Sequence, residues 1–197
     1  MMYSLLIFTA AGLFHPAACV AQVKKMTAQE LTTESTSILY GKCTKLESAW
    51  TEDKSMILTS VTVVPEYYLK GNLGTEVTIT VPGGQVGDII YEVSEMPAFH
   101  KGEEVFTFIW QHPNGMNLVT GGSQGKLKIH VDASSGRKTI QGRQFGKNAS
   151  GQRTLEPAYS GKETTKSAKV PTLQQAKSEL ILLDDFTREV EGYLNKQ

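Results

Sequence analysis

The chain is predicted to be mainly β: a small closed antiparallel barrel with a short helix before it and an amphipathic helix after it. Three observations predict this. Seven or eight short runs of strand composition fall between about residues 37 and 141, with Gly- and Pro-containing turns between them. Several runs alternate apolar and polar residues, the period that puts one face of a strand inward. The segment 27–34 and the last twenty-odd residues carry helix signals instead. A sheet of this size left open would present unpaired edges, so closure into a barrel is the economical solution.

The elements follow in order. Residues 1–21 are expected to be an export signal. Leu5-Leu6-Ile7-Phe8-Thr9-Ala10-Ala11-Gly12-Leu13-Phe14 precedes Pro16 and the small group Ala17-Ala18-Cys19-Val20-Ala21, the order of an apolar core and a cleavage site. The run is short of the roughly 20 residues a membrane span needs. Pro16-Ala17-Ala18-Cys19 also looks like a lipoprotein box. In that alternative Cys19 is acylated and the protein is tethered to a membrane.

Thr27-Ala28-Gln29-Glu30 fits a capping box and predicts a helix over 28–34. Residues 37–46 form the first candidate strand, with Gly41 as a possible bulge. Residues 57–69 form the longest. Ile57, Thr59, Val61, Val63, Tyr67 and Leu69 would share its inward face, and Pro65 predicts a bulge or an edge. Residues 76–81 alternate cleanly, with Val77, Ile79 and Val81 inward. Residues 88–93 are a weaker strand. Residues 104–110 are apolar on both faces and predicted to be central. Pro113-Asn114-Gly115 turns the chain into a short strand over 117–120. Residues 126–131 alternate again, with Leu127, Ile129 and Val131 inward, and 138–141 is the last strand. This barrel domain spans 27–141.

Composition changes at 142–171, where Gly, Ser, Thr, Gln and Lys dominate and six Lys/Arg stand against two Glu. This reads as a flexible linker. A second capping box, Thr172 to Gln175, predicts an amphipathic helix over 172–195, with Leu173, Ala176, Leu180, Leu183, Thr187, Val190 and Leu194 on one stripe. That stripe is expected to pack on the barrel, with a partner or a membrane surface as alternatives. Glu179, Asp184, Asp185, Glu189 and Glu191 on the polar face disfavour an anionic membrane.

Lys plus Arg equals Asp plus Glu, so no global field attracts nucleic acid. Without the export signal only Cys43 remains, and one thiol cannot staple a fold. Cys43 is expected to be buried and inert. Gly121-Gly122-Ser123-Gln124-Gly125-Lys126 lacks phosphate-loop spacing and precedes a strand, so it reads as a turn. His100, His112 and His130 show no metal-ligand spacing. Asn148-Ala149-Ser150 is a glycosylation sequon. No cofactor and no catalytic residue is nominated. Trp50, beside Thr51-Glu52-Asp53-Lys54 in a loop, is the residue expected at a binding surface.

Tyr40-Gly41-Lys42-Cys43, Val61-Thr62-Val63, Tyr68-Leu69-Lys70-Gly71, Val81-Pro82-Gly83-Gly84, Phe99-His100-Lys101-Gly102-Glu103-Glu104 and Gln124-Gly125-Lys126 together resemble exported bacterial domains grouped with the netrin-like modules. Those modules include the inhibitory domain of tissue metalloproteinase inhibitors. The resemblance covers about residues 37–131 and implies an OB-like barrel. It carries no functional residue across, because the inhibitors' N-terminal zinc-binding Cys and their disulfides have no counterpart here. The expected function is an exported, non-catalytic binding or inhibitory accessory module for a protein or envelope partner. The alternatives are a hydrolase with an unlocated carboxylate or His site, and a lipid-anchored envelope structural protein.

Overall fold

A computed structural model of the chain describes residues 24–141, 145–147, 153–155 and 180–196. The expected signal 1–21, Cys19, the sequon residues Asn148 and Ser150 and the capping box from Thr172 lie outside the described residues.

The chain enters as a two-residue strand β1 (Met26–Thr27) and the helix α1 (Ala28–Glu34). The capping box forms as expected. The Thr27 side chain accepts from Glu30 N–H at 3.0 Å, and Glu30 Oε2 accepts from Thr27 N–H at 2.7 Å. Two long strands follow, β2 (Ser37–Trp50) and β3 (Ile57–Lys70), then β4 (Val77–Pro82). A small hairpin is made of β5 (Gly84–Val86) and β6 (Ile89–Tyr91). The remaining barrel strands are β7 (Glu104–Gln111) and β8 (Asn117–Val119). A 3₁₀ turn at Gly122–Gly125 leads into β9 (Lys126–Val131) and β10 (Lys138–Gln141).

Strands β7, β2, β3, β4 and β8 pair in that order, and β8 pairs back onto β7, which closes a five-stranded barrel. Every pairing in the ring is antiparallel except β4 with β8, a parallel bridge at Ile79 and Asn117. One edge of β7 serves two partners in succession. Its residues 104–107 pair with β9, and residues 109–111 pair with β8.

This arrangement explains why β7 is apolar on both faces. Its odd residues Val105 and Ile109 point into the barrel, where they meet Leu39, Cys43, Val61, Val63, Val77, Ile79 and Val81. Its even residues Phe106 and Phe108 point outward into a second core, beneath the helices, with Leu31, Ile38, Leu127 and Ile140. One strand therefore belongs to two cores, and its period-2 alternation separates aromatic from aliphatic residues.

The Gly41 and Pro65 signals converge. The two residues face each other where the β2–β3 register shifts. A Cβ on Gly41 would lie 2.3 Å from the Val64 carbonyl oxygen, so only glycine admits this approach. The bulge also corrects one expectation. Beyond it the strand's parity flips: Tyr67 is exposed and Tyr68 packs toward the barrel core instead. Val131 is likewise exposed rather than inward, because it ends β9 opposite Lys138, past the last core layer.

Two further expectations are corrected. The segment taken as a linker contains β11 (Phe145–Lys147) and β12 (Arg153–Leu155), and β12 pairs with both β11 and β1. The C-terminal helix does not include residues 180–182. These form β13 (Leu180–Leu182), which pairs antiparallel with β10 and sets Ile181 beside Ile140. The helix α2 is Leu183–Leu194. An apolar Leu-Ile-Leu run suits a strand as well as a helix. The effective start signal was Asp184-Asp185, whose carboxylates favour a helix N-terminus. Helix α2 packs on the barrel, as expected, but through Leu183, Phe186 and Val190 rather than Thr187 and Leu194. Phe186 stands edge-on to Phe106 at 5.0 Å and to Phe108 at 6.5 Å.

Candidate functional site

The segment 92–99 leaves the β5–β6 hairpin and packs against the barrel core, which Phe99 joins and Met96 touches, with Pro97 also buried. Its anchors come from elements on either side. Ser123 N–H donates to the Glu95 carbonyl at 2.8 Å. Lys126 Nζ donates to the Ala98 carbonyl at 2.8 Å, lies over the Phe99 ring at 5.1 Å and pairs with Glu103 Oε1 at 2.8 Å. Glu103 Oε1 also accepts from His100 N–H at 2.8 Å. Burial pulls the Lys126 ammonium below its ordinary value, against the opposing pull of Glu103.

The anchored segment separates two clefts. The larger, about 710 Å³, lies between the segment and the β4–β5 corner. Its floor is a chain of hydrogen bonds. Ser48 Oγ and Thr59 Oγ1 are 2.8 Å apart, and Thr59 Oγ1 donates to the Gly83 carbonyl at 2.6 Å. Tyr91, Glu92, Ser94 and Glu95 also border it. The smaller cleft, about 570 Å³, lies between the segment and the ends of β7 and β8, where Trp110, Leu118 and Val119 line it and Glu34 stands at its border. Val81, Pro82, Met96 and Pro97 line both, so the two clefts are neighbours across one apolar ridge.

Trp110 is 39% exposed and meets His112 edge-on at 5.3 Å. Glu95 has a left-handed backbone, φ 63°, and its Oε2 is buried without a hydrogen-bond partner among the described residues. That conformation turns the Glu95 carbonyl toward Ser123. Gly122 makes room for it: a Cβ there would lie 2.5 Å from the carbonyl oxygen.

Trp50 is the last residue of β2, paired with Ile57, rather than a loop residue; it is 37% exposed and lines neither cleft. Cys43 is fully buried in the barrel. Burial and the nearby Glu103 charge push its thiol up from the ordinary value. The three histidines do not converge, and among the described residues no three His, Cys, Asp or Glu side chains gather to hold a metal. The Gly121–Lys126 run turns the chain through the 3₁₀ segment into β9, as its spacing indicated. Glu95, Met96 and Trp110 were not singled out from the sequence. Trp110 falls inside the run 104–110 read as apolar on both faces, where an aromatic is expected in the core, and the structure exposes it instead. No pattern marked Glu95. Comparisons with protein-family models, curated proteins and solved structures return no match.

Proposed function

We propose that the chain is an exported, non-catalytic binding module that takes a segment of a partner protein or envelope component across its two neighbouring clefts. The observation that carries this reading is the shared ridge of Val81, Pro82, Met96 and Pro97. Val81 and Pro97 are buried, so a ligand lying over it meets the partly exposed Pro82 and Met96 and one exposed aromatic ring on each side, Tyr91 and Trp110. Each cleft falls within the roughly 300–1,000 Å³ common for ligand sites, and exposed aromatic anchors are the usual centres of binding energy. The closed five-stranded ring supports an OB-like reading of the barrel, in which a sheet face and its adjoining loops bind. The apolar run and small-residue group within 1–21 support export.

Selection of random heptapeptides on the full chain tests the binding reading. Enriched peptides are expected to bind Trp110→Ala about tenfold more weakly. They are expected to bind Tyr67→Ala unchanged, since Tyr67 is exposed, stacks on Tyr40 and lines neither cleft. A selection that yields no binder, or binders indifferent to Trp110, contradicts it. Intact mass of the exported protein tests the leader: loss of residues 1–21 is expected, and a lipid adduct on Cys19 would show a membrane tether instead.

A further inference from the structure

The charge of the two clefts narrows the ligand. Every charged residue lining them is a glutamate: Glu92 and Glu95 in the larger, Glu34 in the smaller. Lys126 does not offset them, because its ammonium is held by the Ala98 carbonyl and Glu103.

Glu95 stands apart from the other two. Its left-handed backbone is a conformation that glycine adopts without a steric cost and that a residue with a Cβ resists. Its Oε2 is buried with no donor among the described residues, a second cost that a shorter or apolar side chain would avoid. Both costs, one of backbone and one of side chain, fall on one residue bordering one cleft, and strain of this kind concentrates where a ligand is received. Glu95 as a whole is only partly buried and borders the cleft, so a cation seated there meets the charge of its carboxylate.

We propose that the larger cleft receives the lysine or arginine side chain of an extended segment of a partner protein, with Glu95 as its counter-ion, while the Trp110 cleft takes an apolar side chain of the same segment. This rests on the binding reading above and adds the ligand's chemistry to it. The spread of the carboxylates favours a peptide over a metal cation. A hard dication needs several oxygens gathered at one point, whereas these acids lie on both sides of an apolar ridge. Such a surface complements a chain that alternates cationic and apolar side chains.

Three pools of fluorescein-labelled heptapeptides test it, with arginine, citrulline or leucine fixed at the centre and Ala, Leu, Pro or Thr elsewhere. Citrulline keeps the shape of arginine and removes the charge. Fluorescence polarisation on the full chain is expected to show the arginine pool binding about tenfold more tightly than the citrulline pool, with the preference fading in high salt. Glu95→Gln is expected to abolish most of that preference. Trp110→Ala is expected to weaken both pools alike. Glu95→Gly serves as the folding control: it should melt no lower than the native chain, since glycine relieves the backbone, and lose the arginine preference as Glu95→Gln does. Equal binding of arginine and citrulline pools to the native chain, or an arginine preference that survives Glu95→Gln, overturns the inference while leaving the binding reading in place. Failure of every pool to bind overturns both.

Discussion

Lys126 shows how a single side chain sets the geometry of the site. It sits on β9, nearly buried, and reaches across to hold residues 98–103 through the Ala98 carbonyl, the Phe99 ring and Glu103. Removing one member of such a pair strands the other charge in a low-dielectric site. Lys126→Met is therefore expected to destabilise the fold by about 3–5 kcal/mol in chemical denaturation. Pairing it with Glu103→Leu should recover much of that loss. Equal destabilisation in the single and double variants would show that Lys126 acts through packing alone. Exposed carboxylates act at the acid end. The hydroxyl of Ser134, then the N–H and hydroxyl of Ser135, hold Asp132 well below the usual carboxylate range. The Thr27 N–H and Lys24 do the same, less strongly, for Glu30. A carboxyl whose folded-state value is depressed stabilises fully above the unfolded value, about 4, and loses that contribution as pH falls through the folded one. The melting temperature should accordingly fall between pH 5 and pH 2, and fall less in Asp132→Asn. A parallel decline in both proteins would remove Asp132 as a cause.

At the scale of elements, α2 is fixed by Phe186 entering the space between Phe106 and Phe108. Phe186→Ala is expected to cost about 3–5 kcal/mol by opening a cavity in the core beneath the helices. Hydrogen exchange should then show α2 and β13 losing protection before the barrel does. Loss of protection throughout would mean that the two cores unfold as one. Local patterning made most of these elements legible. Alternation over Val77, Ile79 and Val81 gave β4 its inward face. Thr27 and Glu30 gave α1 its start. Gly41 and Pro65 marked the bulge. Long-range pairing was not legible. Leu180–Leu182 became a strand because β10 offered an edge, and Arg153–Leu155 pairs with Met26–Thr27, more than a hundred residues away in sequence, with Phe145–Lys147 joining through its pairing to Arg153–Leu155. No window of local composition contains that information.

For the whole molecule, the barrel is a frame against whose core one non-strand stretch, residues 92–99, packs through Met96 and Phe99, and the two clefts lie beside that stretch, which is pinned at separate points along its length. The candidate site is therefore assembled from parts far apart in sequence: Glu34 ending α1, Val81 and Pro82 ending β4, Trp110 one residue before the end of β7. Sequence patterning identified the strands that carry these residues but not their meeting point, and the tryptophan it singled out, Trp50, lines neither cleft. The two tryptophans make the distinction measurable, since the chain contains no others. In a ¹⁵N–¹H correlation spectrum each indole N–H gives one signal, assignable with Trp50→Phe and Trp110→Phe. On titration with a peptide from the heptapeptide selection, the account predicts that the Trp110 signal shifts while the Trp50 signal stays in place. A shift at Trp50 with Trp110 unmoved would contradict it.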